Sequence, residues 1–137
     1  MRVPNHSVGP CESESESEFN DYLLSTASDH SFASRELFEE KLGSAKRMQS
    51  RKHAIVYTHG DLKHHSIMIH NGHISGFIDW ESAGWYPEYW EFTTALRFCP
   101  SDFWWYDFVL KLGGSKYTTK IEIERALTAL TIDSYVW

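Results

Sequence analysis

The chain has 137 residues, enough for one domain around a single core but short of the size at which several cores form. Hydrophobic residues make up 42% and aromatics 15%, a globular balance, and a net charge of −6 leaves no basic footprint for nucleic acid or an anionic membrane. Cys11 and Cys99 lie far apart and form no C-x-x-C pair, no apolar run approaches the roughly 20 residues that cross a bilayer, and the N-terminal region carries no apolar signal core. A cytoplasmic protein with reduced thiols is expected.

Residues 1–18, "MRVPNHSVGPCESESESE", mix Pro, Gly and Ser and then alternate Ser with Glu, a composition that cannot bury surface and reads as a flexible lead-in. The domain is expected over 19–137. "FNDYLLS", from Phe19, reads as a short helix, and Ser34 to Ser50 as a longer one with Leu37, Phe38, Leu42, Ala45 and Met48 on its apolar stripe. "AIVYTHGD", Ala54 to Asp61, is a strand running into a loop. Beyond it, Asn71-Gly72 supplies the two positive-φ residues of a type I′ turn between apolar runs, which predicts a hairpin. Pro87 suits the first turn of a helix over "PEYWEFTTALRF", Ser101 could cap "SDFWWYDFVLKL", and Thr119 with Glu122 has capping-box spacing before "IEIERALTALTIDSYV". The fold class that follows is α+β, mainly helical.

Counting outward from the turn pairs His70 with His73, Ile69 with Ile74, Ile67 with Gly76, Ser66 with Phe77 and His64 with Asp79. Asp79 therefore closes the open end of the hairpin, and Asp61, in the loop before its first strand, is expected beside it. Two carboxylates brought together in this way suit Mg²⁺ coordination, or a base beside a metal; the plain alternative is that each only caps a turn. Five of the eight histidines lie between His59 and His73, but the register points His64 and His65 in alternating directions and leaves His70 and His73 at the turn, so three convergent zinc or nickel ligands are not expected.

"HGDLKHHSIMI" followed by "GFIDWESAGWYPEYW" resembles the catalytic loop and metal-binding segment of the aminoglycoside phosphotransferase family, in particular the fungal-type branch of these protein-kinase-like enzymes. The resemblance implies the C-terminal lobe of such a fold, with ATP and Mg²⁺ as cofactors and a small-molecule hydroxyl as acceptor. It makes Asp61 the residue that orients or deprotonates that hydroxyl, Asp79 the Mg²⁺ ligand, and His59 a brace for the loop. Two features depart from the pattern. Ser66 stands where H-G-D-x-x-x-x-N has its second metal ligand, and the residues before Asp61 contain neither a Gly-rich phosphate loop nor a V-A-I-K-like strand. The nucleotide-covering N-terminal lobe is thus expected to be absent and the enzyme truncated or impaired; the alternative is a non-catalytic, pseudokinase-like scaffold. The resemblance also assigns Trp80, Trp85, Tyr86, Tyr89 and Trp90 to the apolar anchor behind the metal segment. Glu81 and Glu88 are candidates for an acceptor pocket, and Trp104, Trp105 and Phe108 for core or for a bare surface that could support a homo-oligomer.

Overall fold

The structure, a computed structural model, describes residues 16–25, 27–47, 52–113 and 115–131. Helix α1 (Glu16–Ser25) begins three residues before the expected Phe19, inside the Ser-Glu run. The cause is long-range: Glu16 accepts from the His53 backbone N–H at 2.9 Å and meets His53 Nδ1 at 2.7 Å. Phe19 and Leu23, four residues apart on α1, are buried together. Helix α2 (Arg35–Lys46) is capped by Ser34, whose Oγ accepts from Leu37 N. Its C-cap is Arg47, and the expected Met48 and Ser50 lie outside the described residues. Its inward stripe is Phe38, Leu42 and Ala45; Leu37, about 100° around the helix from Phe38, is exposed rather than on the stripe.

Strand β1 (Ile55–Thr58) pairs antiparallel with a strand that the sequence did not suggest, β4 (Gly84–Pro87), in the register Ile55↔Pro87 to Thr58↔Gly84. Pro87 therefore ends a strand rather than opening a helix, a position where its missing N–H costs no ladder bond; the Glu88 N–H next to it donates to Ala54 O at 2.8 Å. Strands β2 (Ile67–His70) and β3 (His73–Phe77) form a second antiparallel pair across Asn71 (φ 50) and Gly72 (φ 78). His70↔His73 and Ile69↔Ile74 pair as expected. A bulge between Met68 and Ile69 then shifts the ladder, giving Met68↔Gly76 and Ile67↔Phe77. Ile78 N consequently bonds to Ser66 O, and His64 does not face Asp79: it lies in a 3-10 turn (His64–Ser66) with its ring against Phe103, Trp104 and Trp105.

Helices α3 (Trp90–Leu96), α4 (Trp104–Gly113) and α5 (Thr118–Leu130) complete the fold, which is α+β and mainly helical. On α4, Trp105 and Val109 are buried while Trp104 and Phe108 are exposed. Tyr117, not Thr119, holds the N-cap position of α5, with no side-chain cap bond, and residues 132–137 of the expected last helix lie outside the described residues. Among the described residues the core has three parts. Phe19, Leu23, Tyr86, Tyr89, Trp90 and Leu127 form one; α3 and α4 form the second; Ala45, Ala126 and Leu130 join α2 to α5. No helix among the described residues is long and apolar enough to cross a membrane.

Candidate active site

The loop that leaves β1 turns under a carboxylate supplied by α3. Glu91, in the first turn of that helix, accepts from His59 N at 2.5 Å and Gly60 N at 3.2 Å through Oε2, and from Leu62 N at 3.2 Å through Oε1. Three backbone donors with no ladder partner are thereby satisfied by one charged acceptor, which fixes the backbone on either side of Asp61. Gly60 has φ +81, and a Cβ there would stand 2.2 Å from the carbonyl oxygen of Ser82. The chain is glycine at this point because two backbones touch.

Ser82 belongs to the 3-10 turn Trp80–Ser82, which follows Asp79 directly. On the other side of Asp79, Ile78 O meets His59 Nε2 at 2.7 Å. A carbonyl only accepts, so Nε2 donates in this contact, and Nδ1 is buried with no hydrogen-bond partner among the described residues. His59 thus braces the loop against the Asp79 segment. Asp79 itself is exposed and left-handed, φ 68 and ψ 53. Such a backbone costs a non-glycine residue about 1 kcal/mol or more, least for Asp and Asn, and persists where the surroundings hold it. Here the Ile78 peptide is bonded at both its N–H and its C=O, and Gly60 abuts Ser82.

The Asp61 side chain is 29% exposed, with Lys63 Nζ 3.9 Å from Oδ1. Lys63 reaches the other way, donating to Thr94 O at 2.7 Å, Arg97 O at 3.1 Å and Ala95 O at 3.2 Å. Helix α3 has no basic residue in its last turn, so Lys63 closes its C-terminal carbonyls from outside. Burial pushes the Lys63 ammonium below the usual lysine range, and the Asp61 charge partly offsets that. Ser66 is 1% exposed, and its Oγ is buried without a hydrogen-bond partner. Ser66, expected as a second metal ligand, is therefore recessed while Asp79 faces solvent.

Neither Glu91 nor Lys63 stood out in the sequence as a site residue. The aromatic residues after Asp79 divide: Tyr86, Tyr89 and Trp90 are core, but Trp80 and Trp85 are 47% and 48% exposed and group with Tyr57 on the outer side of the β1–β4 ladder. Their expected anchoring role is therefore not observed. Glu88 is bonded to Lys116 and Tyr117, which hold its carboxyl below the usual range. Among the described residues no three His, Cys, Asp or Glu side chains gather as a metal cage.

The loop before β2 is thus braced between the Glu91 carboxylate of α3 and the left-handed Asp79 segment. The phosphotransferase enzyme family, APH, matches residues 6–113, and the chain belongs to this family. No curated protein matches it.

Proposed function

We propose that the chain is the C-terminal lobe of a protein-kinase-like phosphotransferase of the fungal aminoglycoside phosphotransferase type, acting in the cytoplasm on a small-molecule hydroxyl with ATP and Mg²⁺. The observation that carries this reading is Asp79, held in a left-handed conformation at the solvent face by His59 and Gly60, the two residues that precede Asp61. Hard carboxylate oxygens on adjoining segments fit Mg²⁺, which is commonly held by one or two carboxylates together with substrate phosphates. Asp79 would hold the ion, while the Ser66 hydroxyl, out of solvent reach, does not present its oxygen as the structure stands. When bound, Mg²⁺ neutralises charge on the nucleotide phosphates.

Asp61 orients the acceptor hydroxyl and takes its proton as the oxygen bonds to the γ-phosphorus and the nucleoside diphosphate departs. Glu91 keeps that carboxylate in place through the His59, Gly60 and Leu62 amides. Lys63 sets positive charge beside it. Such positioning supplies most of the catalysis in phosphoryl transfer.

Calorimetry with Mg-ATP on the purified chain tests the reading. Mg²⁺-dependent binding, weakened at least about tenfold (1.4 kcal/mol) in Asp79→Ala, is expected; nucleotide binding indifferent to Mg²⁺ and to Asp79 overturns it. The recessed Ser66 favours a second reading, a scaffold module that keeps the lobe without its chemistry. In that case Ser66→Asn fails to raise Mg²⁺ affinity, and Asp61→Ala and Asp79→Ala leave partner binding intact.

A further inference from the structure

We infer that a cleft behind α3 is a second binding site, for a small amphiphile bearing one negative charge, and that its occupancy is transmitted to the Asp61 loop through Lys63. The cleft lies between the end of α3, α4 and α5 and has a volume of about 350 Å³, the size of a small-ligand site. Its apolar walls come from Leu96, Phe98, Ile121 and Ala129. Among the described residues its one acidic lining group is Glu124, which is committed: buried, it pairs with the buried guanidinium of Arg97 through both Nε and Nη2. That pair is neutral as a unit.

Arg125 is the charge left over. It lines the same cleft from an exposed position and donates from Nη2 to the Tyr106 hydroxyl at 2.9 Å. Because that hydroxyl accepts from Arg125, its own proton is available to a ligand. A mainly apolar chamber with Thr93, Thr128 and the neutral Arg97–Glu124 pair in its wall, and the Arg125 guanidinium and Tyr106 phenol at its edge, selects an apolar body with a single carboxylate or equivalent anion.

The link to the loop is covalent for most of its length. Arg97 and Phe98 line the cleft, and Phe98 holds φ +58, a strained backbone for a bulky residue. The carbonyl of Arg97, one peptide before that strained residue, is one of the three that hold the Lys63 ammonium, and Lys63 stands 3.9 Å from Asp61. A ligand that shifts Phe98 moves an acceptor of Lys63. This inference uses no nucleotide chemistry and stands or falls apart from the proposed activity.

The test is titration of the full chain with 4-phenylbutyrate and with its neutral counterpart 4-phenylbutan-1-ol, read by calorimetry and by backbone amide NMR. The acid is expected to bind about fivefold more tightly than the alcohol, as suits a charge contact at an exposed rim. Arg125→Gln, on the surface, removes that preference, and Ala129→Trp, which fills the cleft, abolishes binding of both compounds. The amides of Gly60 and Leu62 shift on saturation with the acid, whereas those of Asn71 and Gly72 do not. Equal affinity for acid and alcohol, binding undiminished in Ala129→Trp, or an unmoved Gly60–Leu62 loop overturns the proposal.

Discussion

Gly60 and Gly72 have almost the same backbone angle, φ +81 and φ +78, in two regions of opposite construction. Gly72 is at the tip of the β2–β3 ribbon, where a Cβ would meet nothing within 4 Å and where the flanking Ile69 and Ile74 are exposed. Gly60 is buried, with its N–H on Glu91 and its α-carbon against the Ser82 carbonyl. At the ribbon tip a positive φ is dictated by neighbours in the chain, the requirement of a two-residue turn. In the loop it is dictated by residues more than twenty positions away. The ribbon is a local structure, whereas the candidate site is assembled by long-range polar contacts to backbone atoms.

Alanine at the two positions separates these cases most sharply. Gly72→Ala should cost about 1 kcal/mol, the left-handed penalty alone. Gly60→Ala adds an overlap with a backbone oxygen at 2.2 Å that no side-chain rotation relieves, and should cost about 3 kcal/mol or more. Urea unfolding of both variants measures the difference; equal losses would mean that the loop is no more constrained than the turn. Glu91→Gln comes next. One amide oxygen replaces two carboxylate oxygens that serve three N–H groups, and the new NH₂ confronts donors, for a loss of about 2 kcal/mol. Hydrogen exchange should quicken at the His59, Gly60 and Leu62 amides and stay unchanged at Ile69 and Ile74.

The same division explains what could be read in advance. The Asn71-Gly72 turn and the run from β1 into the loop depend on near neighbours, and each is found. The bulge that slips the β2–β3 register is invisible to counting because alternation assumes an uninterrupted ladder. Gly76 was its one local sign, since a glycine inside a strand often marks a bulge. Pro87 suits the first turn of a helix and the end of a strand equally well, and only pairing with β1 decides between them. Asp61 and Asp79 drew notice through the H-G-D and I-D-W runs that carry the family resemblance, since spacing alone left each free to be a turn cap. Glu91 and Lys63 did not, because what they recognise is backbone, and backbone has no sequence signature. The resemblance placed Trp80 and Trp85 in the apolar anchor; the alternation of β4 sends Trp85 outward while Tyr86 turns in.

Lys63 joins the two kinds of order, since it sits in the loop and closes a helix, and its titration supplies the smallest effect and the most specific one. Burial holds its folded pKa below the ordinary 10.5, with Asp61 opposing. At pH values below the folded value both states carry the proton and the burial cost is constant. Between the folded value and 10.5 the unfolded chain binds the extra proton, so stability gained at this site rises with pH across that interval and levels off above it. Lys63→Met removes the rise while also leaving the Thr94, Ala95 and Arg97 carbonyls without their donor. Asp61→Asn, by deleting the opposing charge, should lower the folded value further and start the rise at a lower pH. Unfolding free energies of wild type and both variants through the alkaline range decide the matter: if wild type and Lys63→Met trace parallel curves, the ammonium is solvated, and the loop is held to α3 by Glu91 alone.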